Sequence, residues 1–389
     1  MAAVVVLLFC LGVVSAGRGA ARPSARDDEV FLQAAYLVRT QHIRTIEAVT
    51  RAANIQYGWG GQLAQRLRSQ GDIQTYALIP VWSRIGGFRT GPSPWQRSLY
   101  VESWRISAAT QVAFALSVLL LFWALLPLGS VLALVAALLL TFGHPFRHGP
   151  ALFDPWVMPV AVASIGFWLR DRHRLAAGLA VAAIMVKPNY LFLLPVFMLA
   201  SLVRPGPGDL QGSAGMRPAA VHLSATAAVV LAYVVLAAGH VIALGQYTAG
   251  VRSGYDPGVL AYSVLETVGY RYRAGTLQLR HHWPVYPWTA VNLGLLILLV
   301  HQAWKRARLR RTTVLVVGLL VIPALANFAV IGSIGAYEAG GHFRWINVSI
   351  LAMAIALPLA YREAVRLVAR APTRPSEDNS QELTAALVR

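Results

Sequence analysis

The chain has 389 residues, of which 57% are hydrophobic and only 13% charged, and its mean hydropathy is +0.55. A water-soluble domain carries about a quarter of its residues as charges, so this composition excludes an ordinary soluble protein and points to a membrane. The net charge of +18 would suggest nucleic acid in a soluble chain, but here the cations stand beside apolar runs, where they anchor topology, and no nucleic-acid partner is expected.

Apolar runs recur at about the length, roughly 17–25 residues, that crosses the hydrocarbon layer. The first, Val4 to Ala16, ends in Val14-Ser15-Ala16-Gly17, which also fits a signal peptide, although no basic segment precedes it. The segment 18–105 then separates the first two spans and is far longer than a connector requires, so it should fold. Apolar spacing predicts helices over Asp28 to Thr40 and Thr45 to Ala53, and Gly58-Trp-Gly-Gly breaks the chain before another helix through Leu67. Tyr76 to Ile85 reads as an amphipathic helix lying in the membrane interface with Trp82 as its anchor.

Spans follow at Ile106 to Leu126, Leu128 to Gly143, Trp156 to Leu169, Leu175 to Val186, Tyr190 to Val203 and Ala219 to Leu244. A second long loop covers 245–288, where Tyr270-Arg-Tyr-Arg273 and His281-His282 suit either a glycan or lipid headgroup or an interfacial belt. Thr289 to Trp304, Thr313 to Ile334 and Trp345 to Tyr361 complete a set of about ten spans. The expectation is therefore an all-α polytopic membrane protein with one integral domain over 1–361 and a flexible tail over 362–389. Cys10, the only cysteine, lies inside the first run, so neither a disulfide nor a thiolate metal site can form.

Charge in the short loops orients this bundle. With the amino terminus in the cytoplasm, the inner loops hold Arg170, Arg172, Arg174, Arg204, Arg217, Lys305, Arg306, Arg308, Arg310 and Arg311. The short outer loops hold only Arg147, Lys187 and Arg344, so the positive-inside rule puts both termini in the cytoplasm and both long loops outside.

Several polar residues share that outer face, and each has a structural reading beside a functional one. Asp27, Asp28 and Glu29 open the first long loop, where they fit a helix cap and an acidic first turn as well as a catalytic cluster. Asp154-Pro155 fits a cap followed by proline at the first helical position. Lys187, after Leu175 to Val186, is either a helix-end anchor or a phosphate partner. Glu338, His342 and Arg344, around Gly340 and Gly341, are ordinary loop polarity or three groups able to meet a lipid phosphate. His144 and His148 flank Arg147 and stay secondary.

Three of these segments resemble motifs of the GT-C superfamily, the membrane glycosyltransferases that take sugars from polyprenyl phosphates and include protein O-mannosyltransferases and aminoarabinose transferases. Asp28-Glu29-Val-Phe-Leu-Gln-Ala-Ala resembles the Asp-Glu motif after their first helix. Ala151-Leu-Phe-Asp154-Pro-Trp resembles their second acidic position, and Gly178 through Lys187-Pro188 to Pro195 their helix pair with a Lys-Pro turn. The His-Pro-Pro or Lys-Pro-Pro run of those families is replaced here by Gly71-Asp-Ile-Gln-Thr-Tyr-Ala-Leu-Ile-Pro, and the second half of the chain carries no motif of theirs.

The resemblance implies a retained first helix, a GT-C-like bundle in the inner membrane, and transfer of a sugar, mannose or another hexose, outside the cytoplasm. The donor would be a polyprenyl-phosphate sugar and the acceptor a hydroxyl on a lipid, glycan or protein. Such a transfer needs a carboxylate to take the hydroxyl proton, with Asp28 as the expected base and Asp27 and Glu29 beside it. The departing phosphate needs positive charge, from Lys187, Arg344 or a divalent metal such as Mg or Mn held by Asp28 and Asp154 through hard oxygen ligands. A lipid-linked-sugar flippase and an O-antigen polymerase or ligase are the competing classes; the former would place charges near the midplane, the latter its large loop late in the chain.

Overall fold

The computed structural model describes residues 2–20, 26–42, 72–92, 99–142, 154–205, 210, 212–238, 270–273, 276–279, 310–319, 351, 354–362 and 365. Those residues are mostly helical. The helices are α1 (Ala2–Ala20), α2 (Arg26–Gln41), α3 (Asp72–Ile85), α4 (Trp104–Leu125), α5 (Ser130–Phe142), α6 (Asp154–Trp168), α7 (His173–Val186), α8 (Leu193–Leu202) and α9 (Met216–Ala238). Residues 311–319 and 354–362 are also helical. Strands β1 (Phe88–Pro92) and β2 (Leu99–Ser103) pair antiparallel, with Phe88 opposite Ser103 and Pro92 opposite Leu99. A second hairpin pairs β3 (Tyr270–Arg273) with β4 (Thr276–Leu279).

Among the described residues two helices are long and apolar enough to cross a membrane: Trp104–Leu128, which is α4 continued by a 3₁₀ turn, and Met216–Leu236 within α9. Five shorter apolar helices accompany them. Contacts along their lengths fix an up-and-down arrangement. Helices α1 and α4 are antiparallel and so close that a Cβ on Gly12 would lie 2.8 Å from the Ala115 backbone; glycine at the crossing is what lets the backbones touch. Helices α4 and α6 are parallel: Trp156 Nε1 donates to Thr110 Oγ1 (3.0 Å) at one end, and Arg170 reaches the Trp123 and Ala124 carbonyls at the other. The Ser164 hydroxyl donates to the Ala176 carbonyl (3.0 Å) between antiparallel α6 and α7. The Tyr233 hydroxyl donates to the Ile184 carbonyl (3.0 Å) between parallel α7 and α9.

The bundle therefore has a hairpin end, where α1, α5 and α7 finish and α4 and α6 begin, and an opposite end, where α4, α6 and α8 finish and α7 and α9 begin. The main apolar core runs between the ends through Leu8, Phe114, Leu121, Ile165, Trp168, Phe197 and Leu315. A second, smaller core forms at the hairpin end from Phe31, Leu32 and Leu37 of α2, Ile79 and Trp82 of α3, Val101 of β2 and Ile106 of α4. Ser103 ties that unit to the bundle with one hydroxyl, which donates to the Gly86 carbonyl (2.6 Å) and accepts from the Ile106 amide (3.3 Å) as the cap of α4. Arg39 Nη1 donates to the Ser83 and Arg84 carbonyls (3.2 Å each) at the end of α3. A guanidinium there offsets the negative end of a helix dipole.

The expected helix over Asp28 to Thr40 is α2, and the apolar runs from Ile106 onward are helical in α4 through α9, with the part of the last run beyond Ala238 outside the described residues. Two expectations change. Trp82 is not an interfacial anchor: its side chain is 0% exposed, packed against Trp156 at a centroid distance of 6.1 Å. The protein is also not all-α: the stretch before α4 forms the β1–β2 hairpin and β3 pairs with β4. The helices expected at Thr45 to Ala53 and up to Leu67, and the span at Thr289 to Trp304, lie outside the described residues.

Candidate functional site

Three segments singled out in the sequence belong to the hairpin end. Asp27, Asp28 and Glu29 occupy the first turn of α2, and Asp154 is the first residue of α6. The side chains of these four acids fall outside the described set. Their neighbours do not: Phe31, two residues beyond Glu29, belongs to the small core that also holds Trp82, and Trp156, two residues beyond Asp154, packs against that core. One apolar cluster thus braces the starts of both helices.

Lys187 closes α7 at the same end. Its backbone leaves the helix (φ −139°, ψ 103°), its amide donates to the Ala183 carbonyl (2.8 Å), and its own carbonyl accepts from the Tyr190 amide (3.2 Å). Pro188 forces this break, since it disfavours helical geometry in the residue before it. The Lys187 side chain is 8% exposed. Such burial is unusual for an ammonium and places it within the protein rather than free at a rim. Helix α3 packs against α7, which joins this end of α7 to the unit carrying α2.

Glu338, His342 and Arg344 lie outside the described residues, as do His144, Arg147, His148, His281 and His282. Tyr270 to Arg273 form strand β3. Among the described residues no three His, Cys, Asp or Glu side chains gather as a metal requires; the carboxylates of Asp28 and Asp154, the expected metal ligands, are not in that set.

The opposite end holds a polar cluster that the sequence reading did not single out. The tight turn from α6 to α7 puts Asp171 at φ +66°, a left-handed conformation that Asp tolerates. Its Oδ1 accepts the Ser213 amide (2.7 Å), its Oδ2 the Ser213 hydroxyl (2.6 Å), and His173 Nε2 stands 2.9 Å from Oδ1. On the other side of the ring, His173 Nδ1 lies 3.2 Å from His222 Nε2. Both rings are buried, and Phe197 of α8 packs on His222. The buried Arg311 guanidinium lies 4.6 Å above the Trp168 ring beside them.

Burial pushes the Asp171 carboxyl up, but the hydrogen bonds from the Ser213 hydroxyl and amide and from His173 pull it further down, so its pKa lies below the ordinary carboxylate value. Next to it, Arg170 turns the other way: its guanidinium donates to the Trp123 (2.6 Å), Ala124 (3.2 Å) and Gly166 (2.9 Å) carbonyls and sits 3.8 Å over the Trp123 ring. The signal that marked this end was His222, an ionisable residue within an apolar run. Its partner is 49 residues away in sequence, a pairing visible only once α7 and α9 lie side by side.

Compared with known proteins, the chain matches no family model, no curated protein and no solved structure.

Proposed function

We propose that the chain is a multi-span membrane glycosyltransferase that moves a sugar from a polyprenyl-phosphate donor to a hydroxyl acceptor, with its site at the hairpin end. What supports this reading is that the α2 start, the α6 start and the Lys187 turn, the three segments that resemble one family's motifs, all belong to the hairpin end of the bundle. Asp28 takes the proton of the acceptor hydroxyl as its oxygen attacks the anomeric carbon and the bond to the phosphate breaks. Lys187 meets the charge growing on the leaving phosphate, with Arg344 the next candidate. A Mg or Mn ion would be held by Asp28 and Asp154 and would supply the same electrostatic help.

Membrane residence is supported by α9, which exposes Leu223, Val230, Leu231, Val234 and Val235. A contiguous apolar face of that kind is stable against acyl chains and not against water. Arg170, bound to the last carbonyls of two helices, suits a cation holding helix ends at the cytoplasmic boundary. That orientation places the hairpin end outside, with about ten spans and both termini inside.

The test is incubation of the purified protein with a synthetic polyprenyl-phosphate sugar and mass detection of the transferred sugar. Transfer to an acceptor is expected. A protein that only equilibrates the donor between the leaflets of a liposome is a transporter, and the proposal fails.

A further inference from the structure

The turn that ends α3 gathers arginines from three helices and a strand. Arg39, in the last turn of α2, holds its guanidinium carbon 3.4 Å from where a Cβ of Gly86 would lie, and Arg105, in the first turn of α4, packs its side-chain carbons against Gly87. Arg84 lies in the last turn of α3, and Arg89 stands two residues beyond Gly87 on β1. All four are exposed. Gly86 and Gly87, at φ +62° and +75°, turn the chain out of α3 in a left-handed conformation and, lacking a Cβ, leave the guanidiniums room to close on it.

Capping accounts for part of this cluster. Arg39 Nη1 serves the Ser83 and Arg84 carbonyls and Arg105 Nη1 the Ile85 carbonyl (3.5 Å), which engages one nitrogen of each guanidinium. It gives no reason for Arg84 and Arg89 to stand beside them. Nor does acid match the charge: within residues 73–105 Glu102 is the only carboxylate, opposite Arg89 in the β1–β2 register. The acids of α2 and Asp72 of α3 open their helices, about 15–20 Å along the axes from the ends that carry the arginines.

The cluster borders the start of an apolar helix. Trp104 opens the 25-residue helix Trp104–Leu128, its side chain is 60% exposed, and the Arg105 guanidinium carbon lies 5.4 Å from its ring centre. Ala108 and Val112, one and two turns further along, continue an exposed apolar face. When that helix crosses a bilayer, the Trp104 ring lies among the headgroups, where tryptophan is enriched, and the guanidiniums around it stand at the depth of the lipid phosphates.

We propose that Arg39, Arg84, Arg89 and Arg105 form a surface that holds an anionic phospholipid headgroup beside the start of α4. Guanidinium groups suit this ligand because they are planar, always charged and able to give a phosphate two parallel N–H bonds. The carbonyl hydrogen bonds already fix Arg39 and Arg105, so little freedom is lost when a headgroup arrives. A zwitterionic headgroup brings its own ammonium into the cluster and is disfavoured. The inference rests on α4 spanning the membrane and not on the transferase reading.

The test is fluorescence quenching by lipids brominated in their acyl chains. A Cys10→Ala, Ala108→Cys protein carries one thiol, since Cys10 is the only cysteine, and a bimane on it reports the lipid beside the first turns of α4. The full-length protein is held in phosphatidylcholine nanodiscs containing either brominated phosphatidylglycerol or brominated phosphatidylcholine at the same fraction. Phosphatidylglycerol should quench more strongly, with a relative binding constant of about five or more. Arg84→Gln and Arg89→Gln, which leave the caps of α3 intact, should each lower that preference, and the double variant should bring it close to one. Arg172→Gln with Arg174→Gln removes the same charge at the opposite end of the bundle and should leave it unchanged. Equal quenching by the two lipids without the arginine changes would mean that the arginines only cap α3, and an equal loss of preference in the Arg172 and Arg174 variant would reduce the effect to overall charge; either result overturns the proposal. A label quenched by neither lipid would remove α4 from the bilayer, and with it both this inference and the membrane-spanning reading. Val112→Cys, one turn deeper, repeats the measurement should the label at Ala108 disturb the helix.

Discussion

Replacing the Asp28 carboxylate with an amide keeps its shape and removes its basicity, so Asp28→Asn should lower turnover by roughly a hundred- to ten-thousand-fold while donor binding survives. Steady-state transfer with the synthetic donor measures it, and unchanged turnover would move the base to Asp27. Lys187 separates along another axis, because the cation would hold the phosphate in both ground and transition states. Lys187→Gln, similar in reach and uncharged, should weaken donor binding and turnover together, with Lys187→Arg restoring part of both; a glutamine variant that behaves as wild type reduces Lys187 to a helix-end anchor. Asp171 gives a pH signature. Its folded pKa is depressed, so its contribution to stability is complete above the unfolded carboxylate range and is lost as pH falls through the lower folded value. Thermal unfolding should therefore show an acid-side loss that Asp171→Asn flattens, and equal pH profiles for the two proteins would contradict the pull of Ser213 and His173. That the acids open α2 and that Lys187-Pro188 ends α7 was legible in sequence, because a helix start and a Lys-Pro break are written in adjacent residues. The His173–His222 pair was not, since its spacing of 49 residues carries meaning only after two helices pack in parallel.

The unit made of α2, α3, β1 and β2 depends on a few buried side chains, and Trp82 is the largest of them. Trp82→Ala should cost about 3–5 kcal/mol, which a small core cannot absorb. Hydrogen exchange is expected to rise over 72–92 and 99–103 while α4, α6 and α7 stay protected. Equal exchange in both regions would mean that the unit and the bundle unfold as one. At this scale the length of the apolar runs was sufficient, and α4 through α9 begin within a few residues of where those runs put them. The β1–β2 hairpin escaped because Phe88-Arg-Thr-Gly-Pro reads locally as a turn. What makes it a strand is a partner, Leu99 to Ser103, whose own alternation is too short to announce itself. Trp82 was misread for a related reason: an amphipathic helix shows which face is apolar, not whether lipid or protein covers it.

For the whole molecule the decisive question is which end faces the cytoplasm. A reporter fused after Arg174 or after Arg311 should be cytoplasmic and one inserted near Gly60 should be outside; a Gly60 reporter inside would put the hairpin end on the wrong side for the proposed donor. The up-and-down order of the helices was readable from the short connections between apolar runs, but their depth was not. Helices α5, α7 and α8 have 13, 14 and 10 residues, which at 1.5 Å per residue gives roughly 20, 21 and 15 Å. A hydrocarbon layer is about 30 Å thick, and a short apolar helix is met by drawing the two leaflets together. If α7 and α8 cross the bilayer as proposed, the membrane around them would be pinched, and the phosphate of the proposed donor would ride lower there than elsewhere. It would then come level with Lys187, buried at the end of α7, and the membrane itself would perform part of the docking.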